Sequence, residues 1–387
     1  MVVGANLGLA VGVTALPGFA LGVFIRALQA DFGWTRGEIS LSETLLISML
    51  GLASPGLGWL ADRVRPASLC ASGLAVLAIG LALLSRVGGN VHAFQATYAS
   101  LGLLACGAGA LPFARAVSGS FIEARGLALG LSMVGTGLSE ILVPALLAPY
   151  AQHVGWRQGY LMLALIVALA TPIVAILLAR APPGAAPATS SESEDGIRLA
   201  EAIRNRAFWA LAGSLLLIPL ALAGLLFHLF AYLRDAGLTP AKAGALVGSA
   251  GAVQIASRVL AGWLVDRLPA QRVAAAMTTA SALCLAALAA LGPPAALLAS
   301  FAFGLAMGAE IDLVGYMTAR WFGMRSYGRL YGFLYAAALA GAAISPVVYG
   351  DVYDATRSYV GAISLASAML FAGALLFLTM PDPPARR

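Results

Sequence analysis

The sequence contains one polar hexapeptide twice, within a chain that is otherwise almost wholly apolar. Residues 58–63 read Gly-Trp-Leu-Ala-Asp-Arg and residues 262–267 read Gly-Trp-Leu-Val-Asp-Arg, which is an offset of 204 positions. The same offset aligns three further pairs: Asp31 with Asp235, Gly33 with Gly237 and Thr35 with Thr239. Because self-similarity at a fixed offset indicates repeated units, the sequence predicts two homologous helical bundles, with a site expected between the halves.

The composition places this chain in a lipid bilayer. Hydrophobic residues make up 60% of the sequence and charged residues only 10%, and the mean hydropathy is +0.89. A soluble protein of this size could not bury so much apolar surface. Apolar segments of about 20 residues can cross the bilayer as helices, and they lack the polar–apolar alternation of barrel strands. The expected fold class is therefore an all-α membrane protein.

Twelve apolar stretches are long enough to be transmembrane helices. They are residues 4–28, 38–61, 68–86, 93–119, 125–149, 156–180, 207–233, 240–265, 270–291, 295–319, 327–350 and 358–380. The longest connection is rich in Pro and Ser and divides the spans six and six. We therefore predict an N-terminal six-helix bundle over 1–180, a cytoplasmic linker over 181–206 and a C-terminal six-helix bundle over 207–387. Residues 197–205 are expected to form a short amphipathic helix.

The distribution of Lys and Arg among the loops predicts the orientation. One set of loops and termini carries fourteen basic residues and the other set carries seven, so both termini are expected in the cytoplasm. The expected location is the bacterial inner membrane, with the first span acting as the insertion signal and no cleavable signal before it. Topology accounts for the net charge of +6, and no basic run interleaved with aromatic residues indicates a nucleic-acid partner.

The three cysteines, Cys70, Cys106 and Cys284, all lie inside spans and have no paired spacing. A disulfide or a metal site is therefore not expected, and the thiols are interpreted as small buried side chains. No cofactor is expected either.

The repeated Gly-x-x-x-Asp-Arg turns lie between spans 2 and 3 and between spans 8 and 9. This placement resembles the signature loop of the major facilitator superfamily, and the resemblance covers essentially the whole chain. It implies a major facilitator fold of twelve helices in two pseudo-symmetric bundles. Carboxylates at these positions can cap a helix N-terminus or pair with Arg. Four loop residues are therefore expected to latch helices together: Asp62, Arg63, Asp266 and Arg267.

Within that superfamily the chain is similar to the monocarboxylate and oxalate–formate porters. Six segments carry the likeness: 29–36, 112–115, 257–262, 308–312, 320–323 and 328–332. The resemblance implies a small organic anion, exchanged or moved with a proton. The chain departs from these porters in two places. Gln254 replaces an acidic residue one turn before the arginine of span 8, and the lysine that oxalate–formate exchangers carry in span 11 has no counterpart.

Ionisable side chains within the spans are functional candidates, because each is unfavourable in hydrocarbon unless it is paired or faces water. Arg258 precedes Asp266 by eight residues, which places it about 12 Å into the membrane. Its planar guanidinium suits a carboxylate, so it is a candidate substrate anchor. The alternative is a structural ion pair with Asp312. Arg115 is a candidate for substrate contact, or for helix pairing or snorkelling to the interface.

Proton coupling has four candidate residues: Glu310, Asp312, Glu140 and His228. Glu310 and Asp312 are two positions apart on one helix and point about 200° apart, so only one of them can face a cavity. Each acid can instead be a fixed structural partner, and His228 can be a packed residue. Glu43 is expected to form a latch with Arg26 at the outer end of span 2. Three tyrosines are candidate cavity walls or packing residues: Tyr316, Tyr331 and Tyr335.

The function that these observations favour is a proton-coupled secondary transporter for a small organic anion, a monocarboxylate, working by alternating access. Its expected partners are the anion, a proton and the lipid bilayer, and the expected state is a monomer. Drug or metabolite efflux and anion exchange on the same fold are the alternatives. An enzyme is not expected, since only one histidine lies within a span. No nucleotide-binding Gly-x-x-x-x-Gly-Lys motif is present, and a receptor on this fold is a further alternative.

Overall fold

The computed structural model describes residues 1–179, 196–235, 237–356 and 358–383. Within these ranges the regular structure is helical. The α-helices are, in chain order, α1 (Val2–Ala10), α2 (Leu16–Phe32), α3 (Arg36–Ala61), α4 (Pro66–Leu84), α5 (Val91–Leu104), α6 (Ala110–Ser120), α7 (Arg125–Val154), α8 (Trp156–Ala179), α9 (Leu199–Ala202), α10 (Arg206–Asp235), α11 (Pro240–Val265), α12 (Ala270–Leu291), α13 (Leu297–Phe322), α14 (Tyr327–Thr356) and α15 (Tyr359–Leu378).

These helices confirm the all-α membrane fold predicted from the sequence. Among the described residues, eight helices are long and apolar enough to cross a membrane by length and composition. The first predicted span is divided into α1 and α2, and the fourth is divided into α5 and α6. The expected amphipathic helix at 197–205 is a single turn, α9, and most of the predicted linker lies outside the described residues.

The helix boundaries follow local sequence signals. Thr35 begins α3 with a capping box, in which its hydroxyl accepts from the Glu38 N–H and the Glu38 carboxylate accepts from the Thr35 N–H. Such a box satisfies two backbone donors at the helix start. α2 ends at Gly33 with a φ of 72°, a left-handed conformation that glycine adopts without steric cost.

The two divided helices are broken at the same place in the bundle. The Val13 N–H, in the break between α1 and α2, donates to the Ala108 carbonyl, in the 3₁₀ turn between α5 and α6, at 3.3 Å. Interrupted helices at membrane depth are tolerated where other protein groups satisfy the freed backbone. Each break therefore supplies part of the hydrogen bonding that the other has lost.

The chain forms two compact units. Unit 1 comprises Met1–Ile122, Leu131–Glu194 and Tyr327–Gly332, and unit 2 comprises Glu123–Gly130, Asp195–Ser326 and Phe333–Arg387. Apart from the linker, this division differs from the predicted bundles by two short segments. Residues 123–130 group with unit 2, and residues 327–332 group with unit 1. Each exchanged segment contains the start of a helix, α7 or α14 respectively.

Unit 1 is organised around α3 against α5 and α4 against α8. A cluster of buried aromatic rings joins α2, α5 and α8. The Phe24 and Tyr160 rings lie edge to face with centroids 4.8 Å apart, and the Phe94 and Tyr98 rings are 5.1 Å apart. Aromatic pairs in this geometry stabilise a core beyond the area that they bury.

Unit 2 is organised around α11 against α13 and α12 against α15. Glycines allow α11 and α13 to approach closely. A Cβ added at Gly308 would lie 2.7 Å from the Ser257 Cβ and 2.8 Å from the Gln254 carbonyl oxygen, and Gly304 makes a similar contact with Val253. Small residues at helix interfaces bring backbones together in membranes, so this contact fixes the register between Gln254 and Gly308.

Candidate functional site

The repeated Asp-Arg turns each hold the start of another helix. Asp62 follows α3 and is only 6% exposed. Its carboxylate accepts from the backbone N–H of Gly328 at 2.7 Å and of Arg329 at 3.1 Å, in the first turn of α14. The unbonded N–H groups at a helix N-terminus carry partial positive charge. Asp62 therefore caps α14 within unit 1.

Asp266 makes the corresponding contacts in unit 2. It accepts from the backbone N–H of Gly126 at 2.8 Å and of Leu127 at 2.9 Å, in the first turn of α7. Gly262 packs directly on the backbone at Gly126, as Gly58 packs on Gly328 in unit 1. Only glycine leaves room for backbones this close. The two copies of the sequence motif therefore make equivalent hydrogen bonds.

Arg115 breaks the symmetry between the two turns. Its guanidinium donates to the Asp62 carboxylate at 2.8 Å, and its side chain is 7% exposed. Burial raises the pKa of Asp62, while Arg115 and the two backbone donors act in the opposite direction. Beside the second turn, the Tyr316 hydroxyl donates to the Val265 carbonyl at 2.7 Å. Both of these candidate substrate contacts are therefore engaged with the polar turns.

Among the residues that the structure describes, no ion pair joins Arg63 or Arg267 to the aspartates of the two turns. The Arg63 guanidinium lies 3.8 Å from the Trp59 ring centroid, and that of Arg267 lies 4.1 Å from the Trp263 ring centroid. Both arginines and both tryptophans are exposed. Cation–π pairs of this kind are worth about 0.5–1 kcal/mol at exposed sites. The aspartates, rather than the arginines, therefore bind the starts of the neighbouring helices.

Unit 2 contains a buried charged cluster. Arg258 on α11 is 3% exposed, Glu310 on α13 is 5% exposed and Tyr335 on α14 is 3% exposed. Glu310 interacts electrostatically with both Arg258 and Tyr335. Gln254 lies one turn before Arg258 and is half-buried. The glycine contact between α11 and α13 positions this cluster, which places a cation, a carboxyl group and a hydroxyl together.

The start of α7 also packs on the backbone of α11 beside this cluster. A Cβ added at Gly130 would lie 2.5 Å from the Arg258 carbonyl oxygen, and Gly126, one turn earlier, donates its N–H to Asp266. One glycine-lined helix face therefore contacts both the polar turn and the backbone at Arg258.

The remaining candidate residues are spread over the molecule. Glu140 is half-buried on α7 in unit 1. Tyr331 is in unit 1, where its ring lies 5.8 Å from that of Tyr327, whereas Tyr335, one turn later, belongs to unit 2. The side chains of Asp312 and His228 lie outside the described residues.

The expected latch between Glu43 and Arg26 is not formed. Arg26 is exposed, and among the described residues no ion pair joins it to Glu43. Oε2 of Glu43 is buried instead, and a Cβ added at Gly18 would lie 2.8 Å from its Oε1. The pair was predicted from the positions of both residues near the outer ends of their spans, which does not include the direction in which each side chain leaves its helix.

Comparison with known proteins identifies the family. A family model described as Major Facilitator Superfamily matches residues 7–313. The chain belongs to the major facilitator superfamily. It is 27% identical over 377 residues to monocarboxylate transporter 13 of Bos taurus, covering 94% of this chain and 84% of the relative. It is 28% identical over 382 residues to monocarboxylate transporter 11 of Homo sapiens, covering 94% and 79%.

Two solved structures of other proteins show the same fold. The fucose:proton symporter FucP of E. coli aligns with a TM-score of 0.76 at 15% identity, covering 98% of both chains. A bacterial homologue of the iron transporter ferroportin aligns with a TM-score of 0.76 at 14% identity, also covering 98% of both. As a superfamily member the chain is a multi-pass membrane transporter and not an enzyme.

Two features of unit 1 were missed in the sequence. The break between α5 and α6 could have been found, because residues 106–112 read Cys-Gly-Ala-Gly-Ala-Leu-Pro, which disfavours a continuous helix. The hydrogen-bonded hydroxyls of Tyr98 and Tyr160, 2.8 Å apart, left no sequence signal, since they are single residues in two distant spans.

Proposed function

We propose that this transporter moves a small organic anion, a monocarboxylate, together with a proton by alternating access. The observation that carries the proposal is the buried pair of Arg258 and Glu310 in unit 2. A permanently charged guanidinium in the membrane needs an anionic partner. The names of the monocarboxylate transporter relatives support the substrate class.

Arg258 is the proposed anchor of the substrate carboxylate. Its planar guanidinium donates two parallel hydrogen bonds to a carboxylate, which an ammonium cannot do. In the empty transporter Glu310 supplies the negative charge that Arg258 requires. When a proton binds Glu310, Arg258 becomes available to the substrate, so that one proton and one anion enter together. The cluster then keeps the same net charge in both states.

The test of the anchor is ligand-induced stabilisation of purified protein by formate, acetate, lactate and pyruvate. A ligand that binds the native state raises the melting temperature by mass action. We expect a shift for the wild type and for Arg267→Lys, which changes an exposed arginine near the end of the same helical segment. Arg258→Lys and Arg258→Gln should lose the shift. Normal shifts in both Arg258 variants would exclude the anchor.

The test of coupling is uptake into proteoliposomes under separate pH and voltage gradients. Since a proton and a monovalent anion move as a neutral pair, uptake should follow the pH gradient and ignore the voltage. Glu310→Gln should remove the response to pH. Uptake driven by voltage alone would contradict symport. Uptake indifferent to pH would favour anion exchange or efflux on the same fold.

We further propose that both termini face the cytoplasm and that the protein works as a monomer in a bacterial inner membrane. The excess of basic residues on one set of loops supports this orientation. Cysteine substitutions at Arg36 and Arg65, which lie at opposite ends of α3, should be labelled from opposite sides of the membrane by an impermeant thiol reagent.

A further inference from the structure

A second acid with a buried carboxylate oxygen lies in unit 1, on the half-buried residue Glu43. Glu43 is in the third turn of α3, roughly 10 Å from the start of that helix. Its Oε2 is buried and has no hydrogen-bond partner among the described residues. Its carboxyl group faces α2, where the absence of a side chain at Gly18 makes room for it. Tyr98 of α5 and Tyr160 of α8 are fully buried and interact electrostatically with it.

The two tyrosines have no proton to give to Glu43. A tyrosine hydroxyl carries one donor hydrogen, and that of Tyr98 donates to the Pro17 carbonyl at 3.1 Å. The Tyr98 and Tyr160 hydroxyl oxygens are 2.8 Å apart, so Tyr160 must be the donor in that bond. Both hydroxyl hydrogens are therefore committed within the chain from Tyr160 through Tyr98 to Pro17.

In the part of the chain that the structure describes, no charged group of the surrounding helices forms an ion pair with Glu43. On α2, Arg26 is exposed and Asp31 pairs with Arg157 of α8. On α6, Arg115 pairs with Asp62. His92 of α5 contacts Gln95, and the thiol of Cys106 is half-buried. The titratable groups of α14, namely Tyr327, Arg329 and Tyr331, lie on the helix that packs against the Asp62 end of α3, at the opposite end from Glu43. Among the described residues an ionised carboxylate here would have neither a counter-ion nor a donor, and its Oε2 is shielded from solvent, which disfavours the charged form.

We propose that Glu43 is a proton-binding site of unit 1 and that it carries its proton at neutral pH in this conformation. A protonated carboxyl group removes the buried charge and supplies a donor of its own. The site is separate from Arg258 and Glu310, and the inference does not rest on the proposed substrate or on its coupling. The proposed role of Glu43 is to bind a proton, which differs from the structural latch with Arg26 that the sequence predicted.

Infrared spectroscopy of the purified protein tests the proposal directly. A neutral carboxyl group gives a carbonyl stretching band that an ionised carboxylate lacks, and exchange into heavy water shifts that band. The difference spectrum of wild type minus Glu43→Gln at neutral pH should contain this band. The matched control is Glu38→Gln on the same helix, whose side chain is exposed and whose difference spectrum should contain carboxylate bands instead. Glu43→Asp, which keeps the acid, should retain a shifted neutral band.

Carboxylate bands in the Glu43→Gln difference spectrum at neutral pH would overturn the proposal. A second measurement applies to the folded variants, namely the unfolding equilibrium in detergent micelles as a function of pH. Unfolding exposes Glu43 to water, where it ionises and releases one proton, so wild type should lose stability relative to Glu43→Gln as the pH rises. Above the pKa of a free Glu, about 4.3, and up to neutral pH, the ratio of the two unfolding constants should change about tenfold per pH unit. Parallel curves for the two proteins would also contradict the proposal.

Discussion

The two polar turns provide an internal comparison of what buried charge contributes to this fold. Asp62 and Asp266 each accept two backbone N–H groups at a helix start. Asp62 also holds a buried guanidinium, that of Arg115, whereas Asp266 is only half-buried. We therefore expect Asp62→Asn to destabilise the protein much more than Asp266→Asn does, although the two substitutions remove the same chemical group from the same sequence motif.

The magnitudes follow from the contacts. Asp266→Asn weakens a charged helix cap, which costs about 1–2 kcal/mol. Asp62→Asn weakens the same kind of cap and also leaves Arg115 buried without its carboxylate, for which about 3–5 kcal/mol is typical. The Nε of Arg329 is 3.6 Å from Asp62, but its side chain is 36% exposed, so it adds little. Because the loss of the cap is common to both variants, the expected difference between them is the contribution of the stranded Arg115, about 3–5 kcal/mol.

The assay is equilibrium unfolding by denaturant in detergent micelles, with both variants compared to wild type. The double variant Asp62→Asn with Arg115→Gln should recover part of the loss, because it removes the unpaired charge. If the free energies of unfolding of the two single variants agree to within about 0.5 kcal/mol, which is near the error of such comparisons, the buried pair of Asp62 and Arg115 adds no measurable stability. A double variant no more stable than Asp62→Asn would show that the loss has another cause.

Two further substitutions test the packing and the helix ends. Gly308→Ala should destabilise unit 2 by about 1–3 kcal/mol, because the added methyl group meets Ser257 and the Gln254 carbonyl. The control is Gly248→Ala on α11, where the added methyl group has open space around it. Equal melting temperatures for the two variants would contradict the close contact. Thr35→Ala should lower the free energy of unfolding by about 1 kcal/mol through loss of the capping box, measured by the same unfolding assay. An unchanged midpoint of the denaturant transition would mean that Glu38 alone caps α3.

The sequence predicted the helices well because each span is a long apolar segment, and length and composition decide such segments largely by themselves. It predicted less about the buried polar groups. The partner of Arg115 depends on the turn between α3 and α4, and the direction of Glu43 depends on the space at Gly18. These are contacts between distant parts of the chain, and helical spacing within a single span contains no information about them.

The exchange of helix starts between the two units determines whether the two halves of the chain can fold as separate fragments. A cut within the linker would yield two fragments whose helices could insert in the membrane independently. The first fragment would carry residues 123–130, which belong to unit 2, and the second would carry residues 327–332, which belong to unit 1. Neither fragment alone could complete its own unit, since Asp62 and Asp266 would each lack the backbone groups that they bind. The two halves are thus similar in sequence but are not self-sufficient, and fragments synthesised together should be recovered as a complex rather than as two separate domains.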